Sequence, residues 1–258
     1  MSSLKYLRFQ KPDVNQWKWG IIESGTKIEE FSDSYFYSLE KTGFSLQLNQ
    51  AKLGSPTLPT KIVAVGLNYR DHIQEFGHEV PDHPILFIKP STAVLEPGGT
   101  ILLPPQSCQV DFEGELAVVI KHTAYQITAS EAPDYILGYT CFNDVTARDL
   151  QRIDGQWTRA KSFDTFAPIG PWIVPDLNPD NLQIITTVNG IIRQQSNTKH
   201  LVFPIYQLVS YISHIMTLLP GDVIATGTPS GVGPLQPGDQ VDIEIEGIGI
   251  LNNLVRKA

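Results

Sequence analysis

The run from Val110 to Ile120 begins with acids at every second position and ends wholly apolar. Its tail, Leu116 to Ile120, is short and rich in β-branched residues, which predicts a buried strand. Extended backwards, that strand would put Asp111, Glu113 and Glu115 on one face, because side chains two apart share a face. Similar short apolar runs predict strands at 5–9, 19–22, 61–65, 85–88, 101–103, 139–142, 182–188, 191–195, 223–225, 240–245 and 248–255. Asn189-Gly190 and Glu246-Gly247 mark hairpin turns, as does the stretch Glu23 to Thr26. Helical spacing predicts helices over 128–137, where Thr128 and Glu131 have capping-box spacing, and over 205–219. Asn68 is placed to cap a helix carrying His72 and Glu75, and 146–151 reads as a helical turn. The prolines of 77–84 end the first of these helices, leaving a polar loop that includes His78. Residues 38–53 are only weakly patterned. The turn formers of 54–59 divide a small opening domain, residues 1–55, from a main domain, residues 60–258. Many short strands with few helices indicate an α+β fold with an antiparallel or mixed sheet, not a doubly wound one.

Composition narrows the function classes. Hydrophobic residues make up 41% and charged residues 18% of the 258 positions, which excludes global disorder. The net charge is −8, and the basic residues are scattered, so neither nucleic acid nor an anionic membrane surface is the expected partner. No apolar run is long enough to span a bilayer, and Met1 to Arg8 lacks the apolar core of a secretory signal. The 2 cysteines, Cys108 and Cys141, have no metal-type spacing and fit a reducing cytoplasm.

Chemistry enters with the acids. Three carboxylates on a strand entering a core repel one another and cost desolvation energy, so a cation belongs there unless the run is a solvated sheet edge. Asp144, at the end of another apolar strand, is a further acid of this kind. All-oxygen ligands favour Mg²⁺, Mn²⁺ or Ca²⁺ over zinc. Lysines 89, 121 and 161 are not told apart by the residues alone. The glycine-rich stretch 227–233 lacks the Lys-Ser/Thr ending of a phosphate loop and reads as backbone that approaches a ligand closely.

Five motifs in order carry a resemblance: Gly66-Leu67-Asn68-Tyr69-Arg70-Asp71-His72; Glu113-Gly114-Glu115-Leu116; Asn143-Asp144-Val145-Thr146-Ala147-Arg148-Asp149; Ala160-Lys161-Ser162-Phe163-Asp164; and the stretch from Pro220 to Pro229. Together they resemble the fumarylacetoacetate hydrolase family, in its acylpyruvase, oxaloacetate decarboxylase and oxaloacetate tautomerase branches. The resemblance implies the family's mixed β-sheet roll, a homodimer, and a small β-rich opening domain. It implies Mg²⁺ or Mn²⁺ held by Glu113, Glu115 and Asp144. Arg148, Gln151, Lys161, Thr228 and the backbone at Gly227 would hold a small anionic 2-oxo acid, and His72 with Glu75 would form an acid–base pair. The implied reaction is cleavage of a 2-oxo or 2,4-dioxo acid through a metal-bound pyruvate enolate, with Lys161 stabilising its charge. Oxaloacetate keto–enol tautomerisation is the alternative, closer in the stretches 103–107 and 155–157, and non-catalytic binding of a 2-oxo acid is a third. Asp111 is not a usual ligand in the family and is expected to be structural or to support the ligands.

Overall fold

A computed structural model describes residues 4–12, 14–75, 77 and 79–258. His78 and the first three residues lie outside the described residues. Strand Gly114–Ile120 is central to a 12-stranded sheet, between Ile136–Asn143 and Val223–Ala225, both antiparallel to it. Beyond Val223–Ala225 lie Lys61–Gly66, paired in parallel, and then Ile85–Pro90. On the other side, Ile136–Asn143 leads through Ala167–Val174 to Lys5–Gln10 and the strands Trp17–Ile22, Lys27–Phe31 and Lys41–Gln47. A five-stranded sheet is built on Gln183–Val188 and Gln240–Ile245. Three short strands, Val110–Phe112, Thr146–Ala147 and Gly233–Pro234, make a third sheet.

Burial follows the alternation along Gly114–Ile120. Leu116, Val118 and Ile120 pack with Ile243, Ile245 and Leu251 of the five-stranded sheet and with Leu208, Val209 and Ile212. Ala117 and Val119 face the opposite way, into a cluster with Ile62, Ala64, Phe142 and Ile169. The strand is therefore apolar on both sides because both sides are covered.

There are five α-helices among the described residues: α1 (Arg70–Glu75), α2 (Ala132–Tyr135), α3 (Arg148–Asp154), α4 (Thr158–Lys161) and α5 (Ile205–Ile215). Two are shorter than their sequence pattern predicts. Thr128 does meet Glu131, whose carboxylate accepts from the Thr128 N–H at 2.8 Å, but helix begins only at Ala132. From Ile136 the chain is strand, because Ile136 pairs with Ile120. At the end of α5, Leu218 exchanges backbone hydrogen bonds with Ala124, which holds the following residues extended. Strands Lys41–Gln47 and Ala167–Val174 were not predicted from the pattern.

Candidate active site

The predicted three-acid face is not one strand. The chain changes sheets at Glu113: Val110–Phe112 lies in the three-stranded sheet and Gly114–Ile120 in the large one. The switch keeps Glu113 and Glu115 together and turns Asp111 elsewhere. Asp144 follows the neighbouring strand Ile136–Asn143, and its N–H donates to the Glu113 carbonyl at 2.9 Å. Asn143 fixes the same corner, with its Oδ1 accepting from the Glu113 N–H at 2.9 Å. One carboxylate oxygen from each of Glu113, Glu115 and Asp144 lies within 4.8 Å of the others. All three acids are buried, which excludes a solvated sheet edge.

Cations close around this triad. Lys161, at the end of α4, donates to Glu113 Oε2 at 2.9 Å and to Asp144 Oδ2 at 2.6 Å. Lys89, fully buried on Ile85–Pro90, donates to Asp144 Oδ1 and to the Val145 carbonyl. Arg148, the first residue of α3, donates to Asp111 Oδ2 at 2.8 Å through Nε, to Glu113 Oε1, and to Gln151 Oε1 at 2.6 Å. Asp111 is thus an anchor for Arg148 and no member of the triad. Arg148 does not pair with Asp144, the simplest structural reading of their spacing.

The electrostatics divide the groups. Burial opposes the charge on Glu113, but Lys161 and Arg148 outweigh it and hold its carboxyl well below the ordinary range. Glu115 goes the other way: burial, with Asp144 and Glu113 beside it, pushes its carboxyl well up. Lys161 stays a firm cation, because Asp144 and Glu113 overcome its burial. Burial wins at Lys89 and at His72 and lowers both; Lys89 remains paired with Asp144, while the His72 imidazole, ordinarily half-charged near neutral pH, is biased to its neutral form. A hard dication fits this donor set. The donors are all oxygen, the repulsion felt by Glu115 would turn into attraction, and an ionised carboxylate oxygen has lone pairs for more than one contact.

A cavity of about 340 Å³ opens over the triad, lined by Glu113, Glu115, Asp144, His72, Arg148, Gln151, Arg152, Lys161 and Thr228 on its polar side. Phe87 and Trp157 form an apolar wall, their rings meeting edge to face at 5.2 Å. His72 Nδ1 lies 3.5 Å from Glu75 Oε2. Glu75 is exposed and does not line the cavity; its carboxylate accepts from the Gly231 N–H at 3.2 Å, tying α1 to the glycine-rich stretch. Gly227, expected to touch substrate, donates its N–H to Glu115 Oε2 at 2.8 Å and so positions a triad member. Thr228 donates to the Gly114 carbonyl at 2.9 Å and accepts from Gln194 Nε2 at 2.8 Å.

Three participants escaped sequence reasoning. Lys89 had a usable signal, since Phe87 and Lys89 alternate with the exposed Ile88 and so share the inner face. Arg152 also had one, lying one helical turn beyond Arg148. Gln194 had none: it sits far along the chain, yet its Oε1 accepts from the Gly114 N–H at 3.0 Å and its amide holds Thr228.

No described helix is long and apolar enough to cross a membrane. The profile of the fumarylacetoacetate (FAA) hydrolase C-terminal family matches residues 61–256. The oxaloacetate tautomerase Fahd2a, mitochondrial, of Rattus norvegicus is 44% identical over 214 residues, 79% of this chain and 68% of the rat protein. The crystal structure of a 2-hydroxyhepta-2,4-diene-1,7-dioate isomerase from Mycobacterium marinum superposes with a TM-score of 0.91 at 43% identity, covering 99% of both chains. A 5-carboxymethyl-2-hydroxymuconate delta-isomerase structure from Mycobacterium smegmatis gives 0.91 at 44% identity, over 98% of this chain and 100% of that one. With the triad, its cations and the mixed sheets already in place, the match over residues 61–256 makes this chain a member of the fumarylacetoacetate hydrolase family.

Proposed function

We propose that the chain is a divalent-metal-dependent enzyme that moves a proton at the carbon beside the oxo group of a short 2-oxo acid, with oxaloacetate keto–enol tautomerisation as its reaction. The observation that carries this reading is one cavity lined by a buried acidic triad, a buried lysine paired with two of its acids, and a histidine. Held by Glu113, Glu115 and Asp144, Mg²⁺ or Mn²⁺ would supply Lewis-acid stabilisation of negative charge on the 2-oxo oxygen. The Lys161 ammonium, fixed between Glu113 and Asp144, faces the same developing charge with a full positive charge of its own. His72, biased to neutral imidazole, takes the C3 proton and returns it to oxygen, which completes the keto–enol exchange with no other reactant. Glu75 orients the His72 ring and favours its charged form once the proton arrives. Arg148, Gln151 and Thr228 line the wall where the substrate carboxylate would sit. Phe87 and Trp157 exclude water from the other side. The names of the rat and mycobacterial relatives, a tautomerase and two isomerases, support proton transfer over bond cleavage.

A second reading is cleavage of the C3–C4 bond of an acylpyruvate or loss of CO₂ from oxaloacetate. The His72–Glu75 pair at 3.5 Å favours it, because such a pair can also draw a proton from water. One panel separates the readings. Purified protein with Mg²⁺ or Mn²⁺ is given oxaloacetate and acetylpyruvate, and enol absorbance and pyruvate are followed separately. Accelerated enol decay without pyruvate supports the tautomerase. Pyruvate release from either substrate replaces it with a hydrolase or decarboxylase. Saturable binding with no turnover of either would leave a 2-oxo acid binding protein and remove the enzymatic reading.

A further inference from the structure

The cavity's cations are not equivalent. Arg148 is bound to Asp111 and Glu113, and Lys161 to Glu113 and Asp144. Behind them Lys89 is bound to Asp144. Arg152 also lines the cavity, one helical turn beyond Arg148 on the same face of α3, with Gln151 between them. Its hydrogen bond is to a neutral group: Nη2 donates to the Gln109 side-chain oxygen at 2.7 Å. Among the described residues it forms no ion pair, and it is exposed, at the rim rather than the floor. Gln109 in turn belongs to α3's own support, since its carbonyl accepts from the Arg148 N–H at 2.8 Å and its amide reaches Asp111 at 3.2 Å. The rim guanidinium is thus fixed in register with the arginine below it, and its charge is not neutralised by a protein carboxylate.

We infer that Arg152 selects dicarboxylates: it binds the carboxylate at the far end of a substrate whose 2-oxo acid end lies over the triad. This deepens the proposed function and rests on it for the orientation of the substrate. The floor groups recognise features common to every 2-oxo acid and cannot separate oxaloacetate from a monocarboxylate of equal length. An uncompensated guanidinium at the rim can, through a charge-assisted, two-pronged contact. Four- and five-carbon diacids both carry that second carboxylate.

Calorimetry with Mg²⁺ and matched ligands tests this without relying on turnover. The pairs are oxaloacetate with 2-oxobutanoate and 2-oxoglutarate with 2-oxopentanoate. The unaltered chain should bind at least one diacid about tenfold more tightly than its monoacid partner, as expected of a single charge-assisted contact. Arg152→Gln should reduce that ratio to near one, chiefly by weakening the diacid, and Arg152→Lys should restore part of it. Equal affinity within both pairs in the unaltered chain, or a preference that survives Arg152→Gln, overturns the inference. Tight, selective binding by a protein that turns over neither oxaloacetate nor acetylpyruvate would instead count against the proposed function and leave the role of Arg152 standing.

Discussion

Lys161 and His72 show how burial assigns opposite charge states to two basic groups in one cavity. Lys161 has two carboxylates within 3 Å and remains an ammonium; at His72 burial outweighs the pull of Glu113 and Glu75, and its imidazole leans neutral. Replacing Lys161 with Met should therefore lower kcat for oxaloacetate by about 10²–10³, the usual effect of removing one fixed electrostatic contact. It also leaves Glu113 and Asp144 short of a partner, so the melting temperature should fall as well, and rates must be compared below it. An unchanged kcat would remove Lys161 from the chemistry. His72→Ala should lower kcat by about 10²–10⁴, the range for a lost acid–base group, while the stabilisation that Mg²⁺ gives to the fold stays intact. If that substitution abolished the metal effect too, His72 would be a support of the triad and not a proton carrier. Only some of these residues were legible from the chain. Glu113, Glu115 and Asp144 stood out because acids beside apolar runs need a reason. Lys161 did not, since a lone lysine becomes distinctive only when folding buries it, and without the family motif it was equal to Lys89 and Lys121.

The elements that hold the triad are fixed by backbone proximity as much as by apolar packing. Gly114 stands between Glu113 and Glu115 at the change of sheets, and a Cβ there would lie 2.1 Å from Thr186 Oγ1 and 3.2 Å from Gln194 Oε1. Gly114→Ala should destabilise the protein by about 1–3 kcal/mol, as overpacking does, and should weaken dication binding by displacing both flanking glutamates. Adding Thr186→Ala should recover part of both losses, as read by thermal melts with and without Mn²⁺. Failure of the second change to help would mean that Gly114 matters for backbone reasons alone. The same scale explains which elements the sequence could reveal. Apolar runs such as 61–65, 223–225 and 240–245 became strands because burial on one or both faces needs little else. Ala167–Val174 stayed hidden because Pro168 and Pro171 stand in a strand that is nonetheless buried in the large sheet. Lys41–Gln47 stayed hidden because it is an edge strand with an exposed, weakly alternating pattern. Helix ends were misjudged where pairing partners distant in sequence, Ile120 for Ile136 and Ala124 for Leu218, override local preference.

At the scale of the whole molecule, four buried carboxylates (Asp111, Glu113, Glu115 and Asp144) face three buried cations (Lys89, Arg148 and Lys161) across the meeting of the sheets. The excess falls on Glu115, which has the Gly227 N–H as its hydrogen-bond partner and two carboxylates as its neighbours. A group whose carboxyl is raised in the folded state binds protons more tightly there than in the unfolded chain. In metal-free protein its contribution to stability is therefore present at acid pH and lost as pH rises from the ordinary carboxylate range through its raised value. A dication reverses the balance: at a free concentration about 100 times its Kd it adds about 2.7 kcal/mol, or a melting-temperature rise of about 5–10 °C for a chain of this size. Glu115→Gln separates the two effects because the amide keeps an acceptor for Gly227 and loses the charge. Without metal at neutral pH the variant should melt at a higher temperature than the parent, since a repulsive charge has gone. With saturating Mg²⁺ or Mn²⁺ the order should invert, since a ligand has gone. Melting curves of both proteins in chelator and in excess dication measure the crossing directly. A variant that is less stable than the parent in both conditions would show that Glu115 serves the fold and not an ion, and a parent whose melting temperature ignores dications would remove the metal from the site altogether.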